Sequence, residues 1–201
     1  MTLDVVDWRR RVHALYAEVR GSADPRGAHQ AWRAGRDTLF AEHPASPLSR
    51  QRRAEFTGLP YAAYDPTLRF LLPVETDVEP RRWEVATGTD GVVPFELAGV
   101  LDVPGVGSLG VWWLASYGGG VFVPVRDASA GELTYGGGRY LIDTVKGADL
   151  GGDVRDGELV VDLNFAYNPS CAYDPAWACP LAPAENTVDA AVAAGELIGG
   201  R

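Results

Sequence analysis

The feature that most constrains this chain is a change of hydrophobic period near residue 67. Before it, apolar residues recur at three- and four-residue steps. After it, short apolar runs alternate with turns marked by glycine and proline, with no helical stretch between them. Runs spaced this closely pair as antiparallel neighbours. The expected class is α+β, with two N-terminal helices packed on an antiparallel, barrel-like β-sheet. All of it forms a single domain over residues 1–201, with a helical part at 1–43 and a β-rich body at 67–196 that carries the site loops.

The helices read as follows. Val5, Trp8, Val12, Leu15 and Val19 place an amphipathic helix over Asp4 to Arg20. Asp24 before Pro25 is an N-cap with proline at the first helical position. From there Ala28, Ala31, Trp32, Gly35 and Leu39 mark a second helix that His43-Pro44 ends. Trp8 and Trp32 are expected to face the core. Residues 44–66 read as an irregular connection.

Strands are expected near Leu68–Glu75, Arg82–Thr87, Val93–Val103, Leu109–Ser116, Val121–Arg126, Arg139–Asp143 and Glu158–Phe165, with a short one near Ala190–Ala193. Turn signals separate them at Thr89-Asp90-Gly91, Pro104-Gly105, Gly118–Gly120, Ala130-Gly131 and Asp156-Gly157.

Charge narrows the partners. A net charge of −9 argues against nucleic acid, because tracking phosphates needs a basic face. Residues 1–55 hold ten arginines against seven carboxylates, and the remainder eight arginines and lysines against twenty carboxylates. The N-terminal part is therefore suited to dock on an acidic body, or to present an arginine-rich face to solvent. No stretch nears the roughly 20 apolar residues of a membrane span, and no secretion signal is visible, so the expected location is cytoplasmic, with reduced thiols.

Among 18 cationic side chains the only lysine is Lys146, in the densest loop of the chain. An ammonium on a flexible stem does things a guanidinium cannot. Around it, Tyr135, three glycines, Arg139, Tyr140 and Asp143 lie together in sequence. On a strand from 139 to 143, Arg139 and Asp143 share a face, to line a pocket or to pair with each other. A second polar stretch holds Asn164, Tyr167 and Asn168 before Pro169, and Glu185-Asn186 after Pro180 and Pro183. Prolines of that kind preorganise side chains, or the amides satisfy buried backbone.

Other patterns carry less. Gly105-Val-Gly107-Ser-Leu-Gly110 matches a dinucleotide fingerprint by letter, but a strand follows where the mechanism needs a helix, so it reads as a hairpin turn. Ser108 lacks the glycine two positions before it that a nucleophile elbow needs. Cys171 and Cys179, eight apart, read as a reduced pair or a disulfide. A metal site completed by His43 or Glu185 is a weaker reading, and no metal is expected.

Several of these runs carry a resemblance. His43-Pro-Ala-Ser-Pro-Leu48, Tyr64-Asp-Pro66, Val125-Arg-Asp127, Thr134-Tyr-Gly-Gly-Gly-Arg-Tyr-Leu141, Asn164-Phe-Ala-Tyr-Asn-Pro169 and Cys179-Pro-Leu-Ala-Pro-Ala-Glu-Asn186 together resemble the domain-of-unknown-function family numbered 1684. The likeness extends from Trp32 to Glu196. It implies a bacterial or archaeal protein with cytoplasmic, secreted or lipid-anchored relatives, and it supplies no activity. A departure is Thr187-Val188-Asp189, where relatives carry a basic and then an apolar residue.

The expectation for function is a cofactor-independent enzyme of hydrolase or isomerase/cyclase type, acting on a small anionic metabolite in one pocket. That pocket would lie between the Gly-rich segment, the proline-clamped loop and His43–Leu48. Glu185, Asp143, Lys146 and His43 are the catalytic candidates. Arg139, Tyr135, Tyr140, Asn164, Tyr167, Asn168 and Asn186 are the substrate-binding ones. The alternative is a non-catalytic small-molecule-binding module of lipocalin-like kind. A third reading is a homodimer interface anchored by Trp112, Trp113, Tyr117 and Trp177.

Overall fold

The computed structural model describes residues 2–86, 91–153 and 155–199. Helix α1 spans Thr2–Gly21 and α2 Pro25–Glu42. Asp24 caps α2 by accepting the Arg26 N–H at 3.1 Å, Pro25 opens it, and His43 leaves it in an extended conformation before Pro44. The two helices pack through Tyr16, Val19, Ala28 and Trp32, which continue onto Ala148, Leu150 and Phe165 of the β-rich body. Trp32 is fully buried, and Trp8 is half-buried against Phe40. Ala31, read as part of the buried face, is exposed, and His29 and Phe40 are buried in the helix instead. A third short helix, α3 (Arg50–Ala54), interrupts the connection read as irregular. It is one turn capped by the Ser49 hydroxyl and buries no residue, so it left no periodicity to find.

Among the described residues seven strands follow: β1 Arg69–Pro73, β2 Arg82–Ala86, β3 Val92–Val103, β4 Gly107–Leu114, β5 Val121–Val125, β6 Arg139–Asp143 and β7 Glu158–Asp162. Thr87 and the turn expected at Thr89 and Asp90 lie outside the described residues. The Pro104–Gly105 signal is the β3–β4 turn, with Gly105 at φ +73°, and the glycine-rich letters there open a strand.

The strands do not form one barrel-like sheet. Strands β2-β3-β4-β5-β6 make an antiparallel five-stranded meander, while β1 and β7 pair separately. The outer edge of β6 is taken by Tyr167, whose backbone exchanges hydrogen bonds of 2.8 and 3.0 Å with Tyr140. The small sheet is tied to the large one where Glu75 bridges Val100 beside a bulge in β3. Gly99 makes that crossing possible: a Cβ there would stand 2.5 Å from Val74 Cγ1 and 2.6 Å from the Glu75 carbonyl. Between the two sheets Leu101, Leu109, Val123, Val125, Ile142 and Leu163 form the main core.

Two strand readings change. The seventh ends at Asp162, whose carboxylate accepts the Asn164 N–H and turns Leu163–Phe165 into a 3-10 helix. The segment expected as a strand near Ala190–Ala193 is irregular, because the Val192 carbonyl and its neighbour at Ala194 accept from Arg139 instead of a ladder partner. Among the described residues, no helix is long and apolar enough to cross a membrane.

Candidate functional site

The hydrophobic stripe of α1 does not end in the core. Val5, Trp8, Val12 and Leu15 line one wall of a cavity of about 140 Å³. The three segments expected to meet around a pocket all contribute: Tyr140 and Lys146 from the Gly-rich segment, Asn168 to Ser170 and Trp177 from the proline-clamped loop, and Ala45 and Pro47. The wall made by α1 and α2, including Arg36 and Phe40, was not read from sequence. Its signal was present, since the apolar stripe of α1 starts a turn before the α2 face it packs on.

Arg9, Arg36 and Lys146 line this cavity, and the surroundings of the last two hold them charged. Lys146 follows β6 on the turn Thr144–Lys146, which Asp143 caps through the Lys146 N–H at 3.2 Å. The other Asp143 oxygen lies 3.0 Å from the ammonium. Partial desolvation works against the charge, but the Asp143 carboxylate outweighs it and keeps Lys146 above the usual lysine range. The ammonium sits 5.4 Å from the centre of the Tyr140 ring, and its side chain remains 48% exposed, so a ligand can reach it.

Arg36 is deeper. It donates to Glu196 at 2.7 Å and to the Tyr61 hydroxyl at 2.8 Å, and lies against the Trp32, Phe40 and Tyr167 rings. Burial pushes the Glu196 carboxyl up, against the pull of Arg36. Asn168 donates to the same carboxylate through its backbone at 3.1 Å and its amide at 3.2 Å. The rings of Tyr167 and Tyr140 meet edge-on at 5.6 Å.

The remaining candidates are placed elsewhere. Arg139 is fully buried under the C-terminal segment, 3.0 Å from Asp127 and bonded to the carbonyls of Val192, Ala194 and Glu196. It does not pair with Asp143, because a bulge at Leu141 of β6 breaks the alternation between them and Asp127 claims the guanidinium.

Asn186 is also fully buried. It accepts from the Trp112 indole at 2.7 Å and donates to Gly110 and Pro124 at 2.9 and 2.8 Å, joining β4 to β5 beyond the point where their own pairing stops. Asn164 holds Asp65 and Asp162. Glu185 is paired with Arg81 at 2.8 Å in a different depression, so the cation beside it comes from the β1–β2 connection. His43 accepts the Ala45 N–H at Nδ1, so Nε2 carries the proton toward Asp7 at 3.1 Å, behind the cavity wall. Tyr135 opens onto a wider groove of about 540 Å³ with Tyr173 and Glu196.

Cys171 and Cys179 are free, half-buried thiols, and Tyr135 donates to Cys171 at 3.7 Å. The Cys171 thiol, with help from the Lys146 ammonium, brings Cys179 down to about 6, while Cys179 and burial push Cys171 up. Among the described residues no group of three His, Cys, Asp or Glu side chains could hold a metal ion. Trp112 is core rather than a surface anchor, whereas Trp113, Tyr117 and Trp177 are exposed.

The chain is 34% identical to an uncharacterised protein from Haloarcula marismortui whose structure was solved in solution by NMR. That alignment covers 84% of this chain and 91% of the archaeal one, with a TM-score of 0.60. No match is found among curated proteins. A family model described as "Protein of unknown function (DUF1684)" matches residues 54–197, leaving the His43–Leu48 run outside the matched region. The chain belongs to the DUF1684 family.

Proposed function

We propose that this protein binds a small, largely apolar anion in the cavity between α1, α2 and the loops after β6 and β7. The ligand's charged head meets the Lys146 ammonium, and its body lies among Trp8, Val12, Leu15, Phe40 and Tyr140. The observation that carries this reading is a cation held charged at the rim of an aromatic and aliphatic lining. An apolar cavity of roughly 150 Å³ takes up benzene, so a volume of about 140 Å³ suits a ring or short chain with one substituent.

Acid–base catalysis is less well supported than binding. Glu185 stands in another depression, and both Asp143 oxygens are engaged by Lys146. A lysine held above its usual range is a counter-ion, not a base.

Isothermal titration calorimetry with benzoate and hexanoate, against benzamide and hexanamide, tests the reading. The acids should bind about tenfold more tightly than the amides, the worth of one charge-assisted contact. Lys146→Met should remove that difference and leave amide binding unchanged. Equal affinities for acid and amide, or a Lys146→Met variant that keeps the preference, would refute it.

A further inference from the structure

We propose that the ligand of this cavity carries, away from its anionic head, an uncharged group that both donates and accepts a hydrogen bond, and that Asn168 and Arg36 select for it. This builds on the reading of Lys146 as the counter-ion and concerns the opposite end of the same ligand.

Asn168 is set by its neighbours in the chain. The Tyr167 backbone before it closes the edge of β6 on Tyr140, and Pro169 after it restricts the backbone that leaves. The Asn168 amide nitrogen donates to Glu196 Oε1 and to the Leu197 carbonyl, both at 3.2 Å. Two acceptors on the nitrogen fix which way the amide faces, because a flipped amide would set oxygen against oxygen. Its oxygen is buried and has no hydrogen-bond partner among the described residues. Buried amide oxygens are rarely left without a donor, and this residue lines the cavity.

Arg36 supplies the complement. Tyr61 takes its Nε at 2.8 Å and Glu196 its Nη2 at 2.7 Å, while aromatic rings lie against the guanidinium. Nη1 makes no hydrogen bond among the described residues, and 11% of the side chain remains open. Tyr16 lines the cavity too, and its buried hydroxyl has no partner among the described residues. The floor therefore offers an acceptor and a donor. A hydroxyl or primary amide meets both, and a methyl group meets neither.

Charge puts the neutral group at this end. The Arg36 guanidinium is offset by the Glu196 carboxylate, so a second anion would meet no uncompensated cation there. At the rim Asp143 offsets Lys146, but Arg9 is exposed, lines the same cavity and has no carboxylate partner among the described residues. The rings of Tyr140 and Tyr167, 5.6 Å apart, lie between the two ends. Lys146 is 5.4 Å from the first ring and Arg36 4.9 Å from the second. A ring or short chain substituted at both ends suits this arrangement.

Isothermal titration calorimetry on the full chain compares ligands that differ by a hydroxyl against a methyl: 4-hydroxybenzoate with 4-methylbenzoate, and 6-hydroxyhexanoate with heptanoate. A merely apolar floor favours the methyl compound of each pair. Asn168 and Arg36 should reverse that order, with the hydroxyl compound about tenfold tighter in the pair the cavity accepts better. Terephthalate, charged at both ends, should bind more weakly than 4-hydroxybenzoate. Asn168→Ala, checked for folding by circular dichroism because the change also strips Glu196 of a donor, should lose the preference. The wild-type ligand pairs decide the matter if that variant does not fold. Lys146→Met should keep the hydroxyl preference, which arises at the other end. A protein that prefers hydroxyl over methyl but not acid over amide refutes the counter-ion reading and leaves this floor standing. Acid preferred over amide, with methyl as tight as hydroxyl or tighter, overturns the floor alone. A preference that survives in folded Asn168→Ala overturns it as well, and binding of none of these ligands overturns both.

Discussion

Replacing Arg139 by methionine should cost this protein about 3–5 kcal/mol of stability, the range for removing one partner of a buried ion pair. The guanidinium is wholly buried and 3.0 Å from Asp127, which is itself 1% exposed. The same side chain satisfies the carbonyls of Val192 and Glu196 at 2.9 and 3.2 Å, and that of Ala194. Each stranded acceptor adds about 1–3 kcal/mol at most, and relaxation of the C-terminal segment recovers part of it. Against a total of about 5–15 kcal/mol for a domain, the variant is marginal.

For a chain of this size each kcal/mol shifts Tm by about 2–4 °C, so a fall of roughly 6–20 °C is expected in thermal unfolding followed by circular dichroism. Asp127→Asn added to Arg139→Met should restore part of the loss, since it removes the stranded charge. The pH dependence has a definite sign. Burial opposes the Asp127 charge, but the Ser129 hydroxyl and Arg139 outweigh it and hold the carboxyl below its ordinary value. Its contribution is therefore present above the unfolded value of 3.8 and is lost as pH falls through the lower folded one. An Arg139→Met protein within about 0.5 kcal/mol of wild type at neutral pH, the range of an ordinary surface change, would sink the structural assignment and return Arg139 to the ligand-binding candidates.

Three further outcomes are expected. Asn186→Ala strands the Trp112 indole and two carbonyls between β4 and β5, so urea unfolding should show a loss of about 3–5 kcal/mol. A loss under about 1 kcal/mol would mean the strands hold without it. Glu185→Gln breaks only the Arg81 pair on the surface, so stability should change by less than about 1 kcal/mol and benzoate affinity not at all. Lost binding would restore Glu185 to the site. His29 is buried beside Trp32, and burial lowers its pKa from 6.5 to about 4. The unfolded chain therefore takes up the proton first, and wild type should lose roughly 3 kcal/mol relative to His29→Phe as pH falls through that interval. Parallel stability curves for the two proteins would show that His29 titrates alike in both states.

The helices and the meander were legible because each follows from a local rule. The three- and four-residue steps of α1, the Asp24-Pro25 start of α2 and the glycine turns between strands need no distant partner. Lys146 stood out by composition, and it does face the cavity. Glu185, Asn164 and Asn186 were equally conspicuous by composition, yet they serve backbone or surface pairs. A polar residue in a proline-rich loop looks the same whether it holds a ligand or a stranded carbonyl. Alternation put Arg139 and Asp143 on one strand face, but a bulge between them breaks that period and the guanidinium went to Asp127 twelve residues upstream. The buried Arg36–Glu196 pair, 160 residues apart, left no local trace.

By itself the sequence determined the two long helices, the strands of the meander and most of the turns between them, because backbone sterics and side-chain period act over a few residues. The N-terminal arginine surplus left docking on an acidic body and a solvated face both open, and the fold pairs Arg36 with Glu196 and Arg20 with Asp149. Only the tertiary structure decided that the strands split into two sheets and which carboxylate each buried cation meets. It also decided that α1 and α2 would wall the cavity that the one lysine faces. Those outcomes depend on distances between segments far apart in the chain, which packing sets and no local rule encodes.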